Sequence, residues 1–340
     1  MFGCMAIVQG CNCSDDGGRD GGPFDTGALE AAAIDRAGNL ILLRTDGGFD
    51  LLVQNGDAGT TGSLSSPRWN PQATRLAFTD CDRAFVREPS GEVAPAHTRQ
   101  GTRYRDRTCR VEWSSDGTRL AIDGTDDATD GTALFLVPLG GGNPQFVGEA
   151  DHWAWEPGRQ SLVYGAYDPD FSGPVTRRYD LVTGDAGVLF EGELLEVLRN
   201  GLLLFTRPQR GADGGSEQAL LYWWPDGGVT EAVPPAWFGA FRNAVSATGS
   251  PFADEFMVRG MNDQSATRAL RVSIGGAVSV LFDIRGGAPE CFRFVPGGEW
   301  LSYEDGEPYE LFAFSRDGGS AQLASPPLSG GAGCLDWRRR

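Results

Sequence analysis

The sequence predicts an all-β fold built from seven copies of one four-stranded antiparallel unit. Three observations lead to this prediction: glycine and proline are frequent, one aromatic corner motif recurs, and a second series of hairpins alternates with it. The 340 residues include 49 Gly and 20 Pro, and 40% of them are apolar. This composition is typical of many short strands joined by tight turns around a sizeable core.

The first series consists of an aromatic residue, a polar corner and a strand with a leucine seven positions after the aromatic. Four copies align without gaps: RWNPQATRLAF (68–78), EWSSDGTRLAI (112–122), AWEPGRQSLVY (154–164) and RFVPGGEWLSY (293–303). Weaker copies place markers at Leu198 and near Val245, and CLDWRRR at the end of the chain contributes Trp337. The markers then recur every 42 to about 49 residues, which matches the repeat length of propeller blades.

The second series consists of two apolar strands around a glycine-containing corner, as in LILLRTDGGFDLLV (40–53) and LLYWWPDGGVTEAV (220–233). Such corners favour hairpins because primed turns need positive φ. Seven hairpins of this kind interleave with the seven markers, so each unit has strands A, B, C and D. The first unit lacks strand A and the last copy supplies only strand A. The sequence therefore predicts a seven-bladed β-propeller that is closed by pairing the C-terminal strand with the N-terminal blade.

This repeat resembles the TolB-type, WD40-like propeller repeat, with its Trp-Ser-Pro-Asp-Gly-like corner followed by a Leu/Ile-Ala-Phe strand. The resemblance covers about residues 28–340. TolB proteins are implicated in protein recognition at the outer membrane, so the resemblance implies a partner-binding role. A shared propeller architecture supports fold more strongly than function.

The N-terminus differs from the repeats. Residues 1–11 are a short apolar stretch that ends in VQGC, and residues 12–27 form a Gly/Asp-rich segment that cannot bury a core. The stretch resembles the end of a bacterial lipoprotein signal, which implies lipidation at Cys11 and a flexible tether before the propeller at 28–340. The alternative is a disordered N-terminus with incidental cysteines. The sequence therefore predicts that the protein is exported and is an outer-membrane lipoprotein facing the periplasm or the cell surface. Its lipid alone would attach it to the membrane.

The net charge and the motifs that the sequence lacks argue against several classes of function. The net charge is −17 and every basic residue is arginine, which argues against a nucleic-acid partner. The sequence contains no Gly-x-Ser-x-Gly elbow, phosphate loop or dinucleotide fingerprint. We therefore predict no catalytic residue, no cofactor and no metal site, and we expect a monomer.

Cysteines fall near the ends of neighbouring predicted blades. Cys81 and Cys109 lie on the same face of blades two and three, and Cys291 and Cys334 lie in the blades that meet at the closure. An exported protein favours two disulfides with these pairings. Buried free thiols, a metal site and other pairings remain alternatives.

The loops between strands B and C are predicted to form an acidic face, opposite the corners that contain the repeat motif. Within it, DGTDDATDG partly resembles a calcium loop, but an ordinary solvated loop explains it as well. The segment 97–110 is rich in arginine and either docks an acidic partner or pairs with the acidic loops beside it. The candidate partner-binding residues are Arg99, Arg103, Tyr104, Arg105, Arg107, Asp126, Asp127, Asp130, Asp168 and Asp170.

The tryptophans allow two interpretations. Trp69, Trp113 and Trp155 occupy the repeat position and are predicted to pack between blades, whereas Trp153 and Trp224 are candidates for exposure. The first functional hypothesis is a non-enzymatic envelope scaffold that binds an unidentified envelope protein. The alternative is a propeller that binds or processes glycans with carboxylates near the central channel.

Overall fold

A computed structural model describes residues 29–339 of the chain, apart from some connecting segments. Those segments are residues 45–47, 82, 98–103, 106–109, 127–131, 141–142, 151, 169, 172, 211–215, 234–242, 251–252, 262–266, 285–289, 296–299, 306–308, 316–319 and 329–334. In the described part, no helix combines the length and the apolar character that crossing a membrane requires.

The described strands form antiparallel sheets that follow one another along the chain, and the first sheet also contains the last strand. Its members, in spatial order, are β29 (Asp336–Arg339), β1 (Leu29–Ile34), β2 (Leu40–Arg44) and β3 (Phe49–Val53). β29 pairs with β1 in the register Leu29↔Arg339 to Ala32↔Asp336. The two ends of the described chain are therefore joined within one sheet, which leaves no free edge at this seam.

The next two sheets come from the first half of the chain. The second contains β4 (Ser65–Trp69), β5 (Leu76–Thr79), β6 (Ala84–Arg87) and β7 (Val93–Pro95). The third contains β8 (Tyr104–Arg105), β9 (Val111–Trp113), β10 (Arg119–Asp126), β11 (Thr132–Pro138) and β12 (Gln145–Glu149).

The remaining sheets have four strands each, in chain order. The fourth contains β13 (His152–Trp155), β14 (Ser161–Tyr167), β15 (Pro174–Asp180) and β16 (Ala186–Glu191). The fifth contains β17 (Glu193–Val197), β18 (Leu203–Arg210), β19 (Ser216–Trp223) and β20 (Val229–Val233). The sixth contains β21 (Asn243–Gly249), β22 (Glu255–Met261), β23 (Thr267–Ser273) and β24 (Val278–Ile284). The seventh contains β25 (Glu290–Phe294), β26 (Trp300–Asp305), β27 (Tyr309–Ser315) and β28 (Ser320–Leu328).

The predicted fold needs one correction, because the blades are not uniformly four-stranded. β10 is eight residues long and its partner β9 covers only three of them, so the far end of β10 has a free edge. β8 fills that edge, with Arg105 opposite Thr125 and Tyr104 opposite Asp126. The arginine-rich link thus adds a fifth strand to the third sheet beside the start of the acidic loop.

Two of the predicted markers are also wrong. In the second, third and fourth sheets, the residue after the marker donates its backbone N–H to a carbonyl five positions later, as Ser114 does to Arg119. In the fifth sheet the corner is one residue shorter, because Leu198 bonds to Leu202, and the marker is Val197 rather than Leu198. In the sixth sheet Ser250 bonds to Glu255, so the marker is Gly249 rather than Val245. A glycine gives no aromatic signal, and a bulge between Ala244 and Ser246 obscures the spacing.

The hydrophobic core lies between neighbouring sheets. Leu40 of the first sheet packs against Phe78 and Phe85 of the second, which stack with ring centroids 5.4 Å apart. Farther along the chain, Tyr222 of the fifth sheet meets Phe256 of the sixth edge-on. Apolar contact between faces holds the sheets side by side and leaves the innermost strands to surround a central space.

Candidate functional site: the central channel

The innermost strands of all the described sheets line one central channel. A cavity of ≈ 430 Å³ is bounded by residues of β4, β9, β13, β17, β21, β25 and β29. A second cavity, of ≈ 320 Å³, shares Arg68, Arg110, Ala154, Glu196 and Arg293 with it and continues toward the starts of the inner strands. Because they share these residues, we treat the two cavities as parts of one channel.

A ring of seven residues lies at one level of the channel, each directly before the marker of its sheet. We call it the charged ring; in order around the propeller it consists of Arg293, Asp336, Arg68, Glu112, Ala154, Glu196 and Thr248. The first four alternate in charge, whereas Ala154 and Thr248 are short and neutral. Glu196, between these two, is therefore the one charged member of this ring without a charged neighbour in an adjacent sheet.

Glu112 is surrounded by arginines that favour its ionised form. Arg68 donates from Nε to Glu112 Oε1 at 2.8 Å, and the Arg110 Nε lies 4.0 Å from the same oxygen. Burial favours the neutral carboxyl, but the charges of Arg68, Arg110 and Arg293 and the hydrogen bond from Arg68 outweigh it and hold the pKa of Glu112 below its usual value.

In two other carboxyls of the ring, the pKa is shifted upward. Burial raises the pKa of Glu196, although the backbone N–H groups of Val197 and Gly249 donate to it at 2.9 and 3.3 Å. Burial also raises the pKa of Asp336, whose Oδ2 accepts the backbone N–H of Trp69 at 2.7 Å. The channel thus holds carboxyls whose pKa values are shifted in opposite directions.

Arg110 is held in a fixed position in the channel wall. Its Nη2 donates to the Trp153 carbonyl at 2.9 Å, and its guanidinium lies 4.4 Å from the centroid of the Trp153 ring. Burial lowers the pKa of Arg110, and Glu112 opposes this shift. The predicted exposure of Trp153 is wrong, since its exposed fraction is 2%, whereas that of Trp224 is 36% as predicted.

The tryptophans at the marker position connect neighbouring sheets, as the sequence predicts. Trp113 Nε1 donates to the Arg68 carbonyl at 2.8 Å, and Trp155 Nε1 donates to the Glu112 carbonyl at 3.4 Å. Sequence reasoning missed that these side chains, with Trp69 and Trp337, also border the larger cavity of the channel. The aromatic at the marker was a usable signal, because the residue before it belongs to the charged ring.

Half of the ten predicted partner-binding residues fall outside the described residues, namely Arg99, Arg103, Arg107, Asp127 and Asp130. For Tyr104, Arg105 and Asp126 only the backbone pairing of β8 with β10 is described. Asp168 is buried, forms an ion pair with Arg177, and accepts the backbone N–H of Asp170 at 3.0 Å. Asp168 therefore holds its own loop, and only Asp170 of this pair is exposed.

The cysteine predictions are tested only in small part. Cys81 is disulfide-bonded. Its pairing with Cys109 stays a prediction, because Cys109 lies outside the described residues, as do Cys334 and Cys11. Cys291 belongs to β25, and its pairing with Cys334 also stays a prediction. Among the described residues, no group of three or more His, Cys, Asp or Glu side chains is placed to hold a metal ion.

Comparison with known proteins relates the chain to propellers. No family model matches it, and no curated protein does. Among solved structures it resembles TolB from Acinetobacter baumannii, with 15% identity over 92% of this chain and 67% of that one and a TM-score of 0.53. It also resembles the β-propeller domain of the Trilobed protease from Pyrococcus furiosus, with 13% identity, 86% and 89% coverage and a TM-score of 0.58. The fold is a TolB-like β-propeller.

An enzyme also appears among these neighbours. An oligogalacturonate lyase in complex with manganese matches with 12% identity over 87% of this chain and 84% of that one, at a TM-score of 0.54. At such identities the likeness concerns the fold, and function has to be argued from the channel itself.

The raised pKa of Glu196 leads to a prediction about stability. A carboxyl whose pKa is raised by folding binds its proton more tightly in the folded state, so ionising it costs stability once the pH exceeds its value in the unfolded chain, about 4.3. Glu196→Gln removes that cost and keeps one acceptor oxygen, which can accept the shorter bond from the Val197 N–H, whereas the longer bond from the Gly249 N–H is lost. We expect the variant to melt at a higher temperature than the parent at pH 8, and the difference to shrink toward pH 4. A melting temperature below that of the parent at pH 8 would contradict the assignment.

Proposed function

We propose that this chain is a non-enzymatic, exported lipoprotein that serves as a protein-binding propeller scaffold in the cell envelope. The observation that carries the proposal is the lining of the channel, where Trp69, Trp155 and Trp337 converge with Arg68 and Arg293 in a concave surface. Tryptophan and arginine in a concave, partly desolvated setting are the residue types that dominate binding energy at protein interfaces. The TolB-type repeat and the TolB-like fold support the same class of role.

A pull-down from envelope extracts tests the scaffold role, with Arg110→Ala as the channel variant and Arg36→Ala as the matched surface control. Arg36 is exposed in the corner between β1 and β2. We expect one discrete protein to be captured by the parent and by the control, and several-fold less by Arg110→Ala. A glycan array runs in parallel. Reproducible glycan binding without a protein partner would overturn the proposal in favour of a glycan-binding propeller.

The lipid anchor has its own test. Cells that express the full chain are fed radioactive palmitate, and the parent is compared with Cys11→Ala. We expect the parent to be labelled and the variant to lose the label, because Cys11 is the proposed acceptor. A parent that takes up no label would overturn the localisation, whatever the pull-down shows.

A further inference from the structure

Glu196 is an unusual group to place in the wall of a channel. No ion pair within 4.0 Å reaches it among the described residues, and the nearest positive charges that act on it are Arg110 and Arg293. Its hydrogen-bond donors are two backbone N–H groups, and its neighbours in the charged ring are Ala154 and Thr248. Glu196 is half-buried, and a partly desolvated carboxylate without a partner cation is costly, so this position stabilises the chain less than an apolar residue would.

Open space lies where a partner cation would sit. Ala154 and Thr248 are short, so the parts of the channel beside Glu196 are not filled by charged side chains of the ring. The adjacent wall contains the aromatic ring of Trp155 and, toward the start of the inner strand, His152. A carboxylate in a partly desolvated cavity that a tryptophan also borders is suited to an organic cation.

The arginines that line the channel beside the ring carboxyls already have partners. Arg68 is paired with Glu112, and Arg110 is held by the Trp153 carbonyl and ring. Asp336 lies between Arg68 and Arg293 in the ring and feels both charges. An anionic ligand would therefore compete with existing contacts, whereas a cation at Glu196 would meet an unpaired carboxylate.

We propose that Glu196 is the anchor of a binding site for a primary ammonium group, which a partner presents as a lysine side chain or as a free amino end inserted into the channel. This inference rests on the proposed scaffold role only for the source of the ammonium. The ion pair would form in a partly desolvated cavity, where a charge-assisted hydrogen bond is stronger than in water.

The test uses small probes, so that its outcome does not depend on finding the partner. The intact protein, with its glutamates labelled with ¹³C at the carboxyl carbon, is titrated with Nα-acetyl-lysine methylamide, with the Nε-acetylated form of the same probe, and with glycine methylamide as a free amino end. The Glu196→Gln variant assigns the Glu196 signal. Glu193→Gln is the matched control, since Glu193 belongs to the same strand, with a half-exposed side chain 3.8 Å from His152.

We expect an ammonium probe to shift the Glu196 signal saturably, and the Nε-acetylated probe to leave it unchanged. Titration calorimetry with the same probes measures affinity in all variants, since Glu196→Gln lacks the labelled signal. Affinity should fall at least about tenfold in Glu196→Gln and stay within about twofold in Glu193→Gln. Response to the lysine probe or to the glycine probe identifies the source of the ammonium. No saturable shift by either ammonium probe, or equal affinity in Glu196→Gln, would overturn the inference. A captured partner together with such a result would leave the scaffold role standing.

Discussion

The Gly192→Ala variant is expected to lose at least about 3 kcal/mol of its free energy of unfolding. Gly192 joins β16 to β17 with a φ of 144°, a conformation that L side chains rarely adopt. A Cβ at this position would lie 2.5 Å from Phe205 Cδ2 and 2.8 Å from the Thr206 carbonyl oxygen. Phe205 is fully buried and lies 4.2 Å from the ring of Phe190, so it has no room to move away.

The backbone of Gly192 is also fixed by hydrogen bonds, since its N–H donates to the Pro174 carbonyl at 2.8 Å and its carbonyl accepts from Thr176 Oγ1 at 3.0 Å. Gly187→Ala, in the same sheet, is the matched control, because a Cβ there meets no atom within 4 Å and its φ is ordinary. The control should change stability by less than about 1 kcal/mol. Chemical denaturation measures both variants, and a loss below 1 kcal/mol in Gly192→Ala would contradict the strained junction.

Arg338→Met is expected to lower the free energy of unfolding by about 3 kcal/mol, because it removes the arginine that forms an ion pair with a buried carboxylate at the closure of the ring. Arg338 belongs to β29 and donates from Nε and Nη2 to Glu30 Oε2 at 3.0 and 2.7 Å, and the Glu30 side chain is 3% exposed. Arg338 also donates to the Ala73 carbonyl at 3.0 Å, and its guanidinium lies 3.8 Å from the centroid of the Trp69 ring. One side chain thus connects the closing strand to the first and second sheets.

Arg44→Met is the control for this variant, since Arg44 forms an exposed ion pair with Asp50 in the same sheet at 2.7 Å. It should cost less than about 1 kcal/mol, as surface ion pairs do. The double variant Glu30→Gln with Arg338→Met should recover part of the lost stability, because the buried negative charge is then removed together with the arginine that balances it. Equal losses in Arg338→Met and Arg44→Met would show that the closing ion pair contributes little.

The all-β propeller architecture was predictable because its signals are local. A corner such as SSDG is fixed by turn chemistry within a few residues: Ser114 Oγ and the Thr118 backbone N–H both bond to Asp116 Oδ1. Such corners recur wherever the chain reverses direction between two antiparallel strands, so their spacing along the sequence indicates where each sheet begins. The signal failed where the sequence of the corner drifted, as at Val197 with its shorter turn and at Gly249 with no side chain. It also failed to show β8, whose pairing depends on the unequal lengths of β9 and β10.

The site was less predictable, because it exists only after the ring closes. Asp336 and Arg68 are 268 positions apart in the chain, and nothing local relates them. Their proximity depends on the pairing of β29 with β1. The interpretation of SSDG as a structural corner holds. Among the described residues, ionisable groups converge in the channel, whereas much of the opposite loop face, where the candidate residues were sought, lies outside the described part. The residue before each marker would have predicted the charged ring, because these are the residues that line the channel at one level.

The most direct test of the central claim, that the channel is the binding site, is a photo-cross-linking scan in cells. A benzophenone side chain is placed at Pro71 beside the channel, at Tyr167 on the opposite loop face, and at Val182 in an outer corner. Tyr167 is 70% and Val182 75% exposed, so both report on accessible surface. We predict a discrete adduct with an envelope protein from Pro71 and none from Val182 or Tyr167. An adduct from Tyr167 with none from Pro71 would contradict the account and move the binding site to the loop face.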